Sequence, residues 1–221
     1  DERRGTLKRI RTNGRGQRMF QGLFGPSKQR LIEQMSSGDN QIALQAVEKL
    51  KAAGWFRDGS LAGINLSQAN LQGAALARAN MERTILQAAN LTKAYLGETI
   101  LREANLQEAI LCDANMREVL LHGADLSRAD LRRAYLAVSD LSRAMLAGAL
   151  LQGANFWQTR LYGAVLTGAR LEGAAFYDVR FDYDTVLPDG TRWSPDVDIT
   201  RFTDAAHPAF WSPDRMNGHH R

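Results

Sequence analysis

From Leu61 onward every fifth residue is apolar: Leu66, Leu71, Leu76, Met81, Leu86 and so on through Phe156, Phe176 and Phe181 to Val186, which makes 26 centres in a single phase. Two residues before each centre the side chain is nearly always small, as Ala69, Ala74, Ala79, Thr84, Ala89 and Ala94 are. A fixed internal period constrains architecture more than any local propensity does. A period of five fits neither the 3.6 of an amphipathic helix nor the 2 of an ordinary strand. The chain must therefore turn after each short extended piece and bring every centre back to one axis. The result is an all-β solenoid, and this pattern constrains the fold far more than it constrains the function.

The residues that carry the pattern, such as ANLQG, ANLTK, ANLQE, ADLSR and ADLRR, resemble the pentapeptide-repeat family over residues 61–186. The resemblance implies a right-handed quadrilateral β-helix, with four five-residue faces to a coil and the central Leu and preceding Ala pointing inward. About six coils at the spacing of stacked strands would make a rod roughly 30 Å long. Known members of the family include gyrase-binding DNA mimics, and most have no assigned partner. Fold alone therefore implies no single activity.

Composition limits the function classes further. The 221 residues allow one or two domains. No apolar run is long enough to cross a bilayer, and no signal-peptide pattern is present, so a cytoplasmic location is expected, with membrane association left open. The chain opens at Asp1 without an initiator Met, which leaves room for a segment removed upstream. The lone cysteine, Cys112, cannot form an internal disulfide and follows a centre by one residue, a position expected to face outward.

Charge is unevenly placed. Residues 1–60 hold 12 Lys/Arg against 6 Asp/Glu, the repeats 61–186 hold 12 against 13, and residues 187–221 hold 4 against 5. All the excess positive charge thus lies in the first segment. Arg3, Arg4, Lys8, Arg9, Arg11, Arg15 and Arg18 alternate with Gly5, Gly14 and Gly16, the composition of a flexible basic arm over residues 1–25. Such an arm either keeps the protein soluble or neutralises phosphates of nucleic acid or anionic lipid. Met19, Phe20, Leu23 and Phe24 follow it and suit a membrane surface or an apolar groove.

Residues 26–60 change to a helical pattern. A first helix is expected over 27–36 with Leu31, Ile32 and Met35 on one face. A second begins after Asp39 or Asn40, either of which can cap it, and places Ile42, Ala43, Ala46, Val47 and Leu50 together before Gly54 ends it. This N-terminal α-helical cap would close the open first edge of the solenoid, because exposed strand edges invite pairing with other chains.

Residues 20 apart should stack on adjacent coils. Two residues after the centres, that register places Arg78 on Glu98, Arg83 on Glu103, Lys93 on Asp113, Asp113 on Arg133 and Glu108 on Arg128, with Glu82 over Arg102 one position earlier. Each pair is opposite in sign. The acidic series Glu98, Glu103, Glu108, Asp113 and Glu118 is therefore a belt between basic belts, and only Glu98 over Glu118 is like-signed. A DNA mimic needs a long negative surface. A near-neutral rod with paired acids disfavours that role.

A stronger candidate surface is the face centred on Leu76, Leu96, Met116, Leu136, Phe156 and Phe176. Tyr95 and Tyr135 precede two of these centres, Trp157 and Tyr177 follow two others and should stack, and Tyr162 lies around the corner. Such a cluster is either an interface or an aromatic ladder, and the tail could instead fold back over Trp157 and Tyr177. In residues 187–221, Trp193, Phe202, Phe210 and Trp211 point to a C-terminal aromatic cap over the last coil, or to a homodimer joined at that end as the family's dimers are.

Nothing in the sequence points to catalysis. His122 stands alone among the repeats, the four His and one Cys lack metal-ligand spacing, and the recurrent Gly148, Gly153, Gly163, Gly168 and Gly173 are turn positions rather than a phosphate loop. No cofactor or metal is expected. The leading expectation is a noncatalytic protein-interaction scaffold whose basic arm contacts a second surface. The alternatives are an arm-driven binder of nucleic acid or anionic membrane and, third, a gyrase-directed mimic.

Overall fold

The computed structural model of the chain describes residues 27–216. The basic arm expected over residues 1–25, from Arg3 to Arg18, lies outside them. Parallel bridges join residues 20 apart, from Asn65 with Ile85 through Asn90 with Ile110 to Arg160 with Arg180. Twenty residues per coil with one turn every five gives four sides, and the molecule is a β-helix solenoid.

Each side is built the same way. The central residue is buried, as Leu66, Leu86 and Leu106 are at 0% exposure, and the small residue two before it is buried beside it. The intervening residue carries the bridge. The carbonyl of the centre accepts from the amide three residues on, Ala69 N to Leu66 O at 3.1 Å for example, which closes a β-turn. The third residue of that turn is left-handed, as the type II geometry requires. Gln68 has φ +60°, Arg78 +64° and Glu98 +58°, and glycine fills the same position at Gly73 and Gly153.

Where the small position is Thr or Ser, the hydroxyl is buried but satisfied. Thr84 Oγ1 donates to Leu61 O at 2.8 Å, Thr99 Oγ1 to Leu76 O at 2.9 Å and Ser139 Oγ to Met116 O at 2.8 Å. A buried hydroxyl without such a partner would be costly. Hydroxyls are therefore tolerated in the column only where a carbonyl on the preceding coil can receive them.

The single phase expected through Val186 does not hold to the end. The final bridge joins Val165 with Val186, 21 residues apart, and the buried centre is Leu187 at 1% exposure. Val186 occupies the bridge position instead. One extra residue enters the turn after Phe181, and the Asp182 carboxylate makes room for it. Asp182 Oδ1 accepts from Gly163 N at 2.8 Å, where the equivalent Gly63 N donates to a backbone carbonyl, Glu82 O. The same oxygen also accepts from Asp184 N and Thr185 N. Burial opposes ionisation of this carboxyl, but these amides outweigh it and lower its pKa. The slip is concealed in the sequence because Val186 and Leu187 are both apolar.

Before the rod, α1 (Lys28–Met35) and α2 (Asn40–Ala52) pack together. Ser27 caps α1 by accepting from Arg30 N, and Asp39 rather than Asn40 caps α2, accepting from Gln41 N at 2.8 Å and Ile42 N at 3.3 Å. Leu31, Met35, Ala43, Ala46, Val47 and Leu50 are buried. Ile42, expected on that inner face, is 43% exposed because it lies in the first turn, to one side of the stripe. Gly54, at φ +75°, ends the helix one residue after its C-cap, Ala53.

This segment supplies partners to the first coil. Asn70 N donates to Ser37 O at 2.9 Å and Asn80 N to Phe56 O at 2.7 Å, whereas the equivalent amides further along donate to the preceding coil. Asn40 Nδ2 bridges Asn70 O and Gln72 O, both at 3.0 Å. Lys28 Nζ pairs with Asp58 at 2.7 Å, and that hydrogen bond is the largest cause holding the Asp58 carboxyl down to about 2.

At the other end the chain doubles back. Val186 bridges Arg192 in antiparallel fashion, Gly168 N donates to Pro188 O and Gly173 N to Thr203 O, both at 2.8 Å. Two short helices follow, α3 (Thr200–Thr203) and α4 (Pro213–Met216). Phe156, Phe176, Phe181 and Trp193 form a continuous series of rings with centroid separations of 4.8, 6.1 and 5.6 Å. Phe202 is 1% exposed, with Trp211 edge-on to it at 5.8 Å. Arg201 pairs with Asp189, and Arg170 with Asp214 at 2.6 Å.

Candidate interaction surface

The bridges align Ala75, Tyr95, Asn115, Tyr135, Asn155 and Ala175 in one column. Tyr95 and Tyr135 are therefore on the same side of the rod, but Asn115 separates them by two coil steps. They are exposed at 59% and 38%. Trp157 and Tyr177 occupy the first turn position of the same face and are exposed at 38% and 75%. The expected stacking of Trp157 on Tyr177 is absent, since no ring contact joins them among the described residues. Both side chains stand on turns, where solvent rather than the neighbouring ring covers them. Tyr162 is half-buried on the next corner, where its carbonyl accepts from Arg143 N. The tail's rings engage Phe181 and leave Trp157 and Tyr177 uncovered.

The charge belts follow the expected register in part. Arg78 holds Glu98 with two hydrogen bonds of 3.0 and 2.9 Å, Arg133 holds Asp113 at 2.7 and 2.9 Å, Arg83 meets Glu103 at 2.8 Å, and Arg128 meets Glu108 at 2.8 Å. Each pair is 20 residues apart. The Arg78 hydrogen bond lowers the Glu98 pKa, Arg83 does the same for Glu103, and Arg133 for Asp113. Lys93 with Asp113 and Glu82 with Arg102 do not close to 4.0 Å among the described residues, and Glu82 lies 4.0 Å from Arg83 instead. Asp113 is already engaged by the guanidinium on its other side. The like-signed Glu98 and Glu118 are relieved separately, Glu98 by Arg78 and Glu118 by Arg117 at 2.8 Å.

Cys112 departs from its expected outward position. It is only 9% exposed, beneath Arg132, whose guanidinium lies 3.9 Å from Sγ while binding Asp130 through both oxygens. Burial is the main cause raising the Cys112 thiol pKa, with Asp130 adding to it. A protonated, covered thiol is a poor nucleophile.

No group of three or more His, Cys, Asp or Glu able to hold a metal occurs among the described residues. No helix among them is long and apolar enough to cross a membrane. The interior is filled by the Leu and Ala columns. Among the described residues there are open surface clefts, such as one of about 230 Å³ lined by Lys51, Phe56, Arg57 and Arg78 where α2 meets the first coil.

Two features are not apparent from a residue-by-residue pass. Among the described residues sixteen non-glycine residues adopt positive φ, all of them two residues after a centre. The recurrence of Gly at that position downstream was the available signal. The other is the bridge between Arg160 and Arg180, two exposed cations on adjacent rungs.

The family model for pentapeptide repeats matches residues 64–102, 99–137 and 139–178, in eight copies. The chain belongs to the pentapeptide-repeat family. Its β-helix is accordingly right-handed. Among solved structures it is similar to HetL, a pentapeptide repeat protein involved in heterocyst differentiation regulation from the cyanobacterium Nostoc sp. strain PCC 7120, at 32% identity over 58% of this chain and 74% of that one, with a TM-score of 0.35. A pentapeptide repeat protein from the Arabidopsis thaliana thylakoid lumen is 29% identical over 54% of this chain and 73% of its own, with a TM-score of 0.28. QnrB1, a plasmid-mediated fluoroquinolone resistance protein, is 20% identical over 65% of this chain and 81% of that one, with a TM-score of 0.30. A search of curated proteins finds no match.

Proposed function

We propose that this pentapeptide-repeat protein is a noncatalytic scaffold for protein–protein interaction. The observation that carries this proposal is the exposure of Tyr95, Tyr135, Trp157 and Tyr177 along one side of a rigid rod, with Tyr162 at its corner. Exposed Trp and Tyr on a preorganised backbone lose little conformational freedom on binding and are enriched among residues that dominate interfaces. The filled interior supports a binding role over a catalytic one.

The organisation proposed with it is a basic arm over 1–25, a helical cap over 26–60, a β-helix of about six coils over 61–186 and an aromatic cap from 187 onward. The pairing of Asn70 N and Asn80 N by the helical segment supports the first cap, and the burial of Phe202 supports the second over an end-to-end dimer joint. Arg3, Arg4, Lys8, Arg9, Arg11, Arg15 and Arg18 would contact a second, anionic surface, of either nucleic acid or membrane.

Affinity capture tests this at low and high salt with three proteins: the full chain, a chain lacking residues 1–25, and a full chain with Tyr95, Tyr135, Trp157 and Tyr177 changed to Ala. The scaffold predicts a protein partner retained at high salt and without the arm, and lost from the aromatic variant. If everything captured depends on the arm and washes off with salt, the rod is a spacer and the scaffold proposal fails.

A further inference from the structure

In adjacent coils the chain writes Phe-Trp-Gln-Thr-Arg over residues 156–160 and Phe-Tyr-Asp-Val-Arg over 176–180. In both, an exposed aromatic stands three residues before an arginine, and the two arginines face each other across a parallel bridge. Like charges directly opposite on adjacent strands destabilise a sheet. Four other guanidiniums, those of Arg78, Arg83, Arg128 and Arg133, are each held by a carboxylate 20 residues away, whereas Arg160 acts only through its charge on Asp140, the rung before it, without closing an ion pair. Arg160 and Arg180 are both exposed, and neither makes a side-chain hydrogen bond or ion pair within 4.0 Å among the described residues. No ion pair joins either arginine to a described tail acid, and three of those five acids are engaged elsewhere, Asp214 by Arg170, Asp189 by Arg201 and Asp198 by His207.

We propose that Trp157, Arg160, Tyr177 and Arg180 form a docking surface for an acidic protein segment, one presenting closely spaced carboxylates beside an apolar side chain. The inference rests on the scaffold function above and gives its partner a chemistry. Each guanidinium offers the planar fork that matches a carboxylate through two hydrogen bonds. The backbone beneath is fixed, with Arg160 N on Ser139 O at 3.0 Å, Arg180 N on Thr159 O at 2.9 Å and Leu161 N on Arg180 O at 2.8 Å. Gln158 Nε2 donates to Asp178 Oδ2 at 3.1 Å, which gives the nearest turn carboxylate a partner other than the arginines. Trp, Tyr and Arg are the residue types that most often dominate binding energy at protein interfaces.

A continuous phosphate backbone fits the site less well than a protein segment. Running along the rod it would meet Asp140, the rung next to Arg160, and the Glu98 and Glu118 turn column. A short acidic segment can meet Arg180 and Arg160 without running on past Asp140 to the Glu98 and Glu118 column.

The test is selection of random displayed peptides on the immobilised full chain, on an Arg160→Glu/Arg180→Glu variant and on a Trp157→Ala/Tyr177→Ala variant. Peptides selected by the native chain are expected to be rich in Asp or Glu next to an aliphatic residue. They should lose at least tenfold in affinity on both variants, and selection on the Glu variant should turn to Lys and Arg. Binders that require Trp157 and Tyr177 but not the arginines would leave the scaffold standing and overturn this inference. Binders indifferent to all four residues, or no binders, would overturn both for this face. Retention of a labelled oligothymidylate through Arg160 and Arg180 would also overturn the inference, in favour of nucleic acid. A single Arg180→Glu change sets a carboxylate on the rung after Arg160 as Asp140 is set on the rung before it, so it should raise the melting temperature while abolishing peptide binding. A lower melting temperature would mean that the arginine rung is structural and would sink the proposal.

Discussion

Between residues 78 and 143 the left-handed turn position carries Arg78, Arg83, Lys93, Glu98, Glu103, Glu108, Asp113, Glu118, Arg128, Arg133 and Arg143, interrupted by Ala88, Gly123 and Val138, while from 148 to 173 it carries Gly148, Gly153, Gly163, Gly168 and Gly173, interrupted only by Gln158. The interior does not change with it: Leu101, Ala104 and Leu111 in the first stretch are as buried as Leu151, Ala154 and Leu161 in the second. A left-handed conformation costs an L residue roughly 1 to 2 kcal/mol. In the first stretch that cost is accepted, and four pairs of these side chains, Arg78 with Glu98, Arg83 with Glu103, Arg128 with Glu108 and Arg133 with Asp113, join one coil to the next. Glycine removes the strain at most corners of the second and leaves them bare, while the two corners that carry the exposed Trp157 and Tyr177 keep Gln158 and Asp178, at φ +55° and +56°, paired with each other at 3.1 Å. One stretch uses its surface to hold itself in register, and the other leaves its surface free.

If the difference is confined to the surface, the two stretches should respond alike to damage inside. Leu111→Ala and Leu151→Ala each remove a fully buried side chain from the column. Each should cost about 2 to 5 kcal/mol, read from the denaturant midpoint. A large gap between the two would show that the corner chemistry alters packing as well.

The corners themselves give smaller effects of opposite sign. Gly153→Val places a β-branched residue at φ +68°, with its Cβ 3.4 Å from Arg133 Cγ, and should destabilise by about 1 to 2 kcal/mol. Val138 already sits at φ +62°. Val138→Gly should therefore stabilise, but by only about 0.5 kcal/mol, since glycine also loosens the unfolded chain. Thermal melts of the two variants settle whether strain sets the pattern.

Acid should separate the stretches next. Glu98, Glu103 and Asp113 have folded pKa values held below their ordinary 4.5, 4.5 and 3.8 by Arg78, Arg83 and Arg133. A depressed folded pKa contributes stability that is present above the unfolded value and is lost as pH falls through the folded one. Amide exchange should consequently speed up first in coils 78–133 as pH drops below about 4.5. Uniform acceleration along the rod would mean that the belts do not act as a unit.

The period of five made the solenoid legible, because burial of the Leu and Ala columns leaves one physical solution. The 20-residue register was equally legible, and it located Arg78 on Glu98 and Arg133 on Asp113. The extra residue after Phe181 was not, since Val186 preserves the apolar pattern while Asp182 absorbs the insertion through its carboxylate. Cys112 was misplaced because its burial comes from Arg132 on the next coil, not from its own position in the repeat. For the candidate surface, sequence located the aromatic side, but not that Trp157 and Tyr177 stand apart or that an unpaired arginine rung lies beside them.

The smallest expected effect is the most informative about use. Tyr177 is 75% exposed and makes no ring contact among the described residues, so Tyr177→Ala should change stability by less than about 0.5 kcal/mol. Arg133→Gln, in the other stretch, should measurably lower the melting temperature, because it breaks two coil-to-coil hydrogen bonds to Asp113. For capture of a partner the order should reverse, with Tyr177→Ala weakening it and Arg133→Gln leaving it intact. A Tyr177→Ala protein that melts as early as a core variant would instead place this ring among the supports of the last coil, and the division between a self-holding surface and a free one would end before it.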